Sequence, residues 1–192
     1  MINNIKITIK DPSKEMFDVL DENGKPTGQI KSRTDVHHDG NWHKSIFICI
    51  INSKNEILIQ KRSKNKDFNP NMWDISVAGH VSTGDTSIES AIRELHEELG
   101  IVENESSLEF LFMIKKLDTR NRNGIRDNEF CDMYLCRYNF DISDIILQKE
   151  EVSEVNSILL TEFEKNILVQ KEGYLIHSFY PQLFEVLHQK FF

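Results

Sequence analysis

The sequence predicts a mixed α/β (α+β) fold, in which one mixed sheet lies between helices and a β-hairpin precedes it. Three observations carry that expectation. Residues 45–52 (SIFICIIN) are a nearly continuous apolar run of strand length, as a buried central strand requires. Residues 88–99 set Ile88, Ala91, Ile92, Leu95 and Leu99 at helical spacing, which makes one apolar stripe. The C-terminal part carries two more helical stretches after a further set of strand-like runs. With 192 residues, 39% of them apolar, the chain is long enough for one domain, 1–192, with a substantial core.

In chain order, residues 2–10 alternate Ile with polar residues, as an edge strand or a peripheral arm would. Residues 16–20 and 29–31 flank DENGKPTG, whose Asn23-Gly24 and Pro26 predict a hairpin. The next stretch, SRTDVHHDGNWH, reads as a polar loop. Its His37, His38 and His43 suit a metal site, a substrate-facing loop or plain surface. After the 45–52 strand, residues 57–60 (ILIQ) complete an antiparallel pair across SKNE and run into Lys61 and Arg62. Those two cations are either surface groups or holders of phosphate oxygens, Arg by a bidentate fork. A loop over 64–72 leads to a short strand over 73–77, with Trp73 read as core.

Beyond the 88–99 helix, residues 108–117 and 130–138 read as two longer strands around DTRNRNGIRDNE. Arg120, Arg122 and Arg126 in that connection either meet a phosphate or are exposed, and Asp127 and Glu129 lead into the second strand. Residues 148–154 read as an acidic loop and 156–160 as a short strand. A helix over 161–170 starts at Thr161 with Glu164 at capping-box spacing. Gly173 breaks it, and residues 178–189 form the last helix on Leu183, Phe184 and Leu187.

A formal net charge of −8 argues against nonspecific binding to nucleic acid or to an anionic membrane. Cys49, Cys131 and Cys136, odd in number and without zinc-type spacing, predict reduced thiols and a cytoplasmic protein. No apolar run approaches a membrane span, and the N-terminus lacks a signal-peptide pattern.

The chemistry is concentrated in GHVSTGDTSIESAIRELHEELGI, residues 79–101. Thr86 and Glu89 have capping-box spacing, and Gly100 stands at the C-cap position. At about 100° per residue, Glu94, Glu97 and Glu98 share a second face of the helix, roughly 120° from the apolar one, and on the solvent side. Like charges at those spacings repel by a few tenths of a kcal/mol per pair. Arg93 offsets one of them, and hard carboxylate oxygens in that arrangement suit Mg²⁺ or Mn²⁺.

The stretch resembles the Nudix box, G-x5-E-x7-R-E-U-x-E-E-x-G-U with U aliphatic. Gly79, Arg93, Glu94, Leu95, Glu97, Glu98, Gly100 and Ile101 fill their positions, and Asp85 stands where the pattern has Glu. The resemblance implies a Nudix-type α/β/α sandwich and Mg²⁺-dependent hydrolysis of a diphosphate linkage in a small-molecule substrate, a nucleoside diphosphate derivative or related organic pyrophosphate. It implies Gly79, Glu94, Glu97 and Glu98 as metal ligands, with Arg93 fixing Glu97. Its base varies in position; Glu129 and the Glu150-Glu151 pair are candidates. Lys61 and Arg62 are the candidate substrate-binding residues. Trp42, Phe68 and Phe130 either stack on a base or pack internally. The resemblance also allows a homodimer.

A weaker resemblance runs from about residue 16 to 160, through VLDENGKPTGQI, ILIQKRS and WDISVAGH, to the subgroup that includes type I isopentenyl-diphosphate isomerase. It implies that His37, His43 and His80, with Asp127 and Glu129, correspond to the isomerase's metal site, a second site or a relic here. The isomerase's catalytic Cys position is Ala78, which has no proton to give. Hydrolysis is therefore the expectation, with an isomerase-like enzyme and a noncatalytic ligand-binding domain as alternatives.

Overall fold

A computed structural model describes residues 14–66, 68–117 and 126–192. The edge strand or arm expected over 2–10, and Arg120 and Arg122, lie outside the described residues. The elements run β1 (Met16–Leu20), β2 (Pro26–Ser32), α1 (Arg33–Asp39), β3 (His43–Ile51), β4 (Glu56–Arg62), β5 (Trp73–Asp74), β6 (Val77–His80) and α2 (Ser87–Leu99). They continue as β7 (Leu108–Lys116), β8 (Glu129–Arg137), β9 (Val152–Leu159), α3 (Leu160–Leu168) and α4 (Tyr180–Phe191).

β3 is the centre because its side chains are apolar on both faces. Ile46, Ile48 and Ile50 join a core with Ala91, Ile92, Leu95 and Leu99 of α2. Phe47, Cys49 and Ile51 join a second core with Leu160, Phe163 and Ile167 of α3 and Leu183, Phe184 and Leu187 of α4. The alternation, period two on the strand against helical stripes above and below, makes the sandwich. The sheet has seven strands in the order β5-β4-β3-β8-β7, with β6 also on β3 and β9 on β4. β3 and β8 pair in parallel and the other pairs are antiparallel, so the sheet is mixed as predicted.

One edge of β3 is shared. Its first half pairs with β6 from Ser45↔His80 to Ile48↔Val77, and its end pairs with β4 at Ile50↔Leu58 and Ile51↔Ile57. Ser76 bridges the division: its hydroxyl accepts from the Ile50 amide at 2.8 Å and donates to the Leu58 carbonyl at 2.5 Å. This is why the single strand expected over 73–77 is two strands, one on β4 and one on β3.

The β1–β2 hairpin forms as predicted, with β2 extending over Pro26–Ser32. The polar loop expected next is instead the helix α1. Ser32 caps it by accepting from the Asp35 amide, and Gly40, at φ 68°, ends it. Only Val36 and His37 are buried, too few for a stripe that periodicity detects. Val36, Phe17 and Val19 form a small third core that seats the hairpin.

Two further boundaries differ. β9 begins at Val152, inside the expected acidic loop, because its backbone pairs with β4. α3 starts at Leu160 without a side-chain cap, so the Thr161–Glu164 box is not formed, and it ends at Leu168 ahead of Gly173. Cys49, Cys131 and Cys136 are buried free thiols. Among the described residues no helix is long and apolar enough to cross a membrane.

Gly100 ends α2 at φ 68°, and a Cβ there would lie 2.8 Å from Cβ of Ile146. Gly100→Ala is expected to destabilise the protein by about 1–3 kcal/mol, from left-handed backbone plus the clash, read as a lowered urea midpoint with an unchanged slope.

Candidate active site

The box helix meets its cavity through one close approach. The Glu94 side chain crosses directly over Gly79 of β6, so that a Cβ on residue 79 would come within 2.3 Å of the Glu94 carboxyl carbon. Glycine is required there for space. Arg93 locks the arrangement: Nη1 donates to Glu94 at 2.9 Å and to Glu97 at 2.8 Å, and Nη2 donates to the His80 carbonyl at 3.0 Å. The predicted Arg93–Glu97 pair is thus present, and the same guanidinium ties α2 to the strand. The capping box of Thr86 and Glu89 is also formed. Asp85 lies 3.9 Å from Arg93 Nε.

Glu98 is not on the solvent side. It is buried at 3% exposure and accepts from Gln60 Nε2 at 3.1 Å. The helix face that holds it is covered by β4 and the chain after β8, which a helical wheel does not show. Burial pushes Glu94 and Glu98 above the usual carboxylate range; Arg93 opposes this at Glu94, while the Glu94 charge adds to it at Glu98.

These groups share a cavity of about 120 Å³. Carboxylates dominate its wall: Glu15, Asp74, Glu94, Glu97, Glu98, Asp127, Glu129 and Glu151 against Arg33, Arg62, Lys66 and Lys116. Glu15 is a site carboxylate that sequence reasoning missed. It is buried, its pKa raised by that burial, and it is held by Arg33 at 3.2 Å. Nothing in its local sequence marks it, because the hairpin carries it to α2.

At the other end of the cavity the sheet register assembles a second cluster. His43 of β3 pairs with Glu129 of β8, and Glu129 pairs with Lys116 of β7, so three adjacent strands place one row. Lys116 donates to both Asp127 and Glu129. Ligand atoms of His37, His43, His80 and Asp127 lie within 4.8 Å of one another. His43 Nδ1 donates to the Asn41 carbonyl at 3.1 Å, so Nε2 keeps its lone pair. That atom and Asp127 Oδ1 are buried without a hydrogen-bond partner. Burial lowers the His43 pKa against the pull of Glu129 and Asp127, which keeps the ring neutral. His80 differs: its Nδ1 lies 3.1 Å from Arg33 Nη1, which can only donate, so its proton sits on Nε2, the edge that faces the cluster. His80 therefore joins the cluster with a ligand nitrogen within reach, while its contact with Arg33 favours the Nε2-protonated tautomer.

Of the other predicted residues, Arg62 lines the cavity and donates through Nε and Nη2 to the Phe68 carbonyl. Lys61 is not part of the lining; it faces Glu154 at 3.7 Å and the Trp73 ring. Phe68 lines the cavity, whereas Trp42 and Phe130 pack on each other at 5.1 Å. Glu151 lines it, paired with Lys66, and Glu150 is exposed.

The NUDIX domain family matches residues 41–179. The chain belongs to the Nudix family. It is 36% identical over 184 residues to Nudix hydrolase 3 of Arabidopsis thaliana, covering 93% of this chain and spanning about a quarter (24%) of that protein's length. It is 27% identical over 158 residues to the isopentenyl-diphosphate Delta-isomerase of Pectobacterium atrosepticum, covering 81% of this chain and 83% of that one. Both the Nudix resemblance and its isomerase-like subgroup are therefore present. A crystal structure from Deinococcus radiodurans superimposes with a TM-score of 0.67 at 22% identity, covering 93% of this chain and all of that one, which places the fold with it. The Nudix match begins at residue 41, so Glu15, Arg33 and His37 form a wall of the site outside the matched region.

The donor sets fit divalent cations at both ends. Buried, mutually repelling carboxylates on α2 suit a hard ion, and the orphaned His43 Nε2 and Asp127 Oδ1 suit a borderline one. Gly79→Ala is expected to displace Glu94 and weaken Mn²⁺ binding by at least about 10-fold, read by isothermal titration; an unchanged affinity would show that Glu94 does not need its path over residue 79.

Proposed function

We propose that the protein hydrolyses a diphosphate linkage in a nucleoside diphosphate derivative or related organic pyrophosphate, using Mg²⁺ or Mn²⁺. The observation that carries this reading is the convergence of Glu94, Glu97, Glu98 and Gly79 on one cavity wall, with Arg93 pairing Glu94 and Glu97. Glu94, Glu97 and Glu98 are the ligands, joined by the Gly79 carbonyl. A bound divalent cation there supplies charge neutralisation of the diphosphate and a water acidified towards neutral pH.

The chain's own groups do the rest. Arg93 holds Glu94 and Glu97 at a set spacing, so the ligands are in place before a cation arrives. Gln60 orients Glu98 by donating to one oxygen and leaves the other for the ion. Glu129, on the same cavity and held by Lys116, is the candidate to receive a proton from the attacking water. Arg62 takes phosphate oxygens with its remaining N–H groups; Lys61 has no such role, since it lies outside the lining.

Ala78 lines the cavity where an isomerase needs its acid, and a methyl group cannot protonate carbon. This supports hydrolysis over double-bond migration. The burial of Glu94 and Glu98 supports a cation-holding site over an idle box, since carboxylates confined together without a cation are destabilising. We assign His37, His43 and Asp127 to a second, softer cation, with His80 joining when Arg33 releases its Nδ1.

Two experiments test this. Phosphorus NMR with Mg²⁺ and a panel of nucleoside diphosphate derivatives is expected to show a diphosphate signal replaced by monoesters, and isopentenyl diphosphate is expected to remain unisomerised. Glu98→Gln should lower that turnover more than about 100-fold, beyond the range of outer-shell substitutions, while Gln60 keeps a partner and the fold is retained; wild-type-like rates would refute the assignment. Separately, His43→Ala is expected to remove one class of Zn²⁺ or Mn²⁺ site in a calorimetric titration and leave the other; two unchanged classes would exclude the histidine cluster.

A further inference from the structure

The same cavity has a third wall that neither the box nor the histidine cluster uses. Residues 173–175 run beside β5: the Trp73 amide donates to the Gly173 carbonyl at 2.7 Å and the Leu175 amide to the Trp73 carbonyl at 2.8 Å. This places Leu175 and His177 on the cavity lining. His177 packs between aromatic neighbours, edge-on with Phe47 at 5.2 Å and stacked on Phe179 at 4.6 Å. Those two phenylalanines belong to the core on the α3–α4 side of the sheet, whereas Glu94 and Glu98 come from α2 on the other side.

Behind His177 stands Asp74, 1% exposed. Its Oδ1 accepts from His177 Nε2 at 2.8 Å and from the Ile75 amide at 2.8 Å. Its Oδ2 has no hydrogen-bond partner and lies 3.6 Å from Arg62 Nη1. Burial alone would raise the Asp74 pKa, but the His177 charge and hydrogen bond, the Arg62 charge and the Ile75 amide outweigh it, and the carboxyl stays ionised. One buried carboxylate thus backs both an imidazole and a guanidinium that reach the cavity. Nε2 is committed to Asp74, so Nδ1 is the remaining ring nitrogen of a side chain that lines the cavity, and a doubly protonated ring donates from it.

We propose that His177, fixed from behind by Asp74, is a substrate-contacting residue that donates from Nδ1 to a phosphate oxygen of the bound diphosphate, beside Arg62 and across the cavity from the α2 carboxylates. The inference rests on the diphosphate reading and deepens it. The diphosphate is held between a cation-binding wall and a hydrogen-bond-donating wall, and the aromatic grip on His177 presets its ring so that little freedom is lost on binding.

The test uses the full chain with Mg²⁺ and methylenediphosphonate, whose P–C–P bridge cannot be hydrolysed. Affinity is read by calorimetry, and the His177 ring nitrogens by nitrogen-15 NMR. A charge-assisted hydrogen bond corresponds to roughly 10–100-fold in affinity. His177→Ala should therefore bind methylenediphosphonate about 10–100-fold more weakly, and the wild-type Nδ1 resonance should move on titration. His177→Gln keeps a donor for Asp74, so it should keep the wild-type melting temperature and still bind weakly. Equal affinity in wild type, His177→Ala and His177→Gln, with a stationary Nδ1 resonance, would overturn the proposal and leave His177 as a tie between the C-terminal segment and the sheet. A wild-type protein that does not bind methylenediphosphonate would overturn the diphosphate reading as well, which distinguishes the two failures.

Discussion

The site depends on one guanidinium. Arg93 binds two carboxylates of its own helix and a backbone carbonyl of β6, so it sets both the spacing of Glu94 and Glu97 and the seating of α2 on the strand. Carboxylates this close repel, and burial raises the energy of each charge. A single planar cation with several donors in a fixed fork answers both at once, which an ammonium does not. Gly79 is the steric counterpart: the Arg93 grip draws Glu94 over a residue that has no side chain.

The other end of the cavity is assembled by register. His43, Glu129 and Lys116 stand in one row across β3, β8 and β7, although they are far apart in the chain. A slip of one residue in either pairing would turn each side chain to the opposite face. The apolar alternation of β3, committed to two cores at once, guards against that slip. The same packing that stabilises the sheet thereby aims the polar groups at its end.

This explains what was legible in the sequence. The box helix was readable because its carboxylates, caps and apolar stripe are all set by local spacing on one element. The central strand and the hairpin were readable from apolar continuity and turn chemistry. α1 was not, because a seven-residue helix that buries only Val36 and His37 has no stripe to detect. Glu15, Lys116, Asp74 and His177 were not, because each reaches the cavity through a strand pairing or a long-range contact with no local signature. The burial of Glu98 belongs to the same class: the angle around the helix was right, but what covers that face is decided by β4 and by the chain after β8.

The acid on the cavity wall has a consequence for proton balance. Eight carboxyl groups line it beside four cationic side chains, and burial holds Glu15, Glu94 and Glu98 above the usual carboxylate range. Under the proposed function a docking cation would favour the ionised form of the α2 carboxylates, so its arrival would release protons and its affinity would rise with pH.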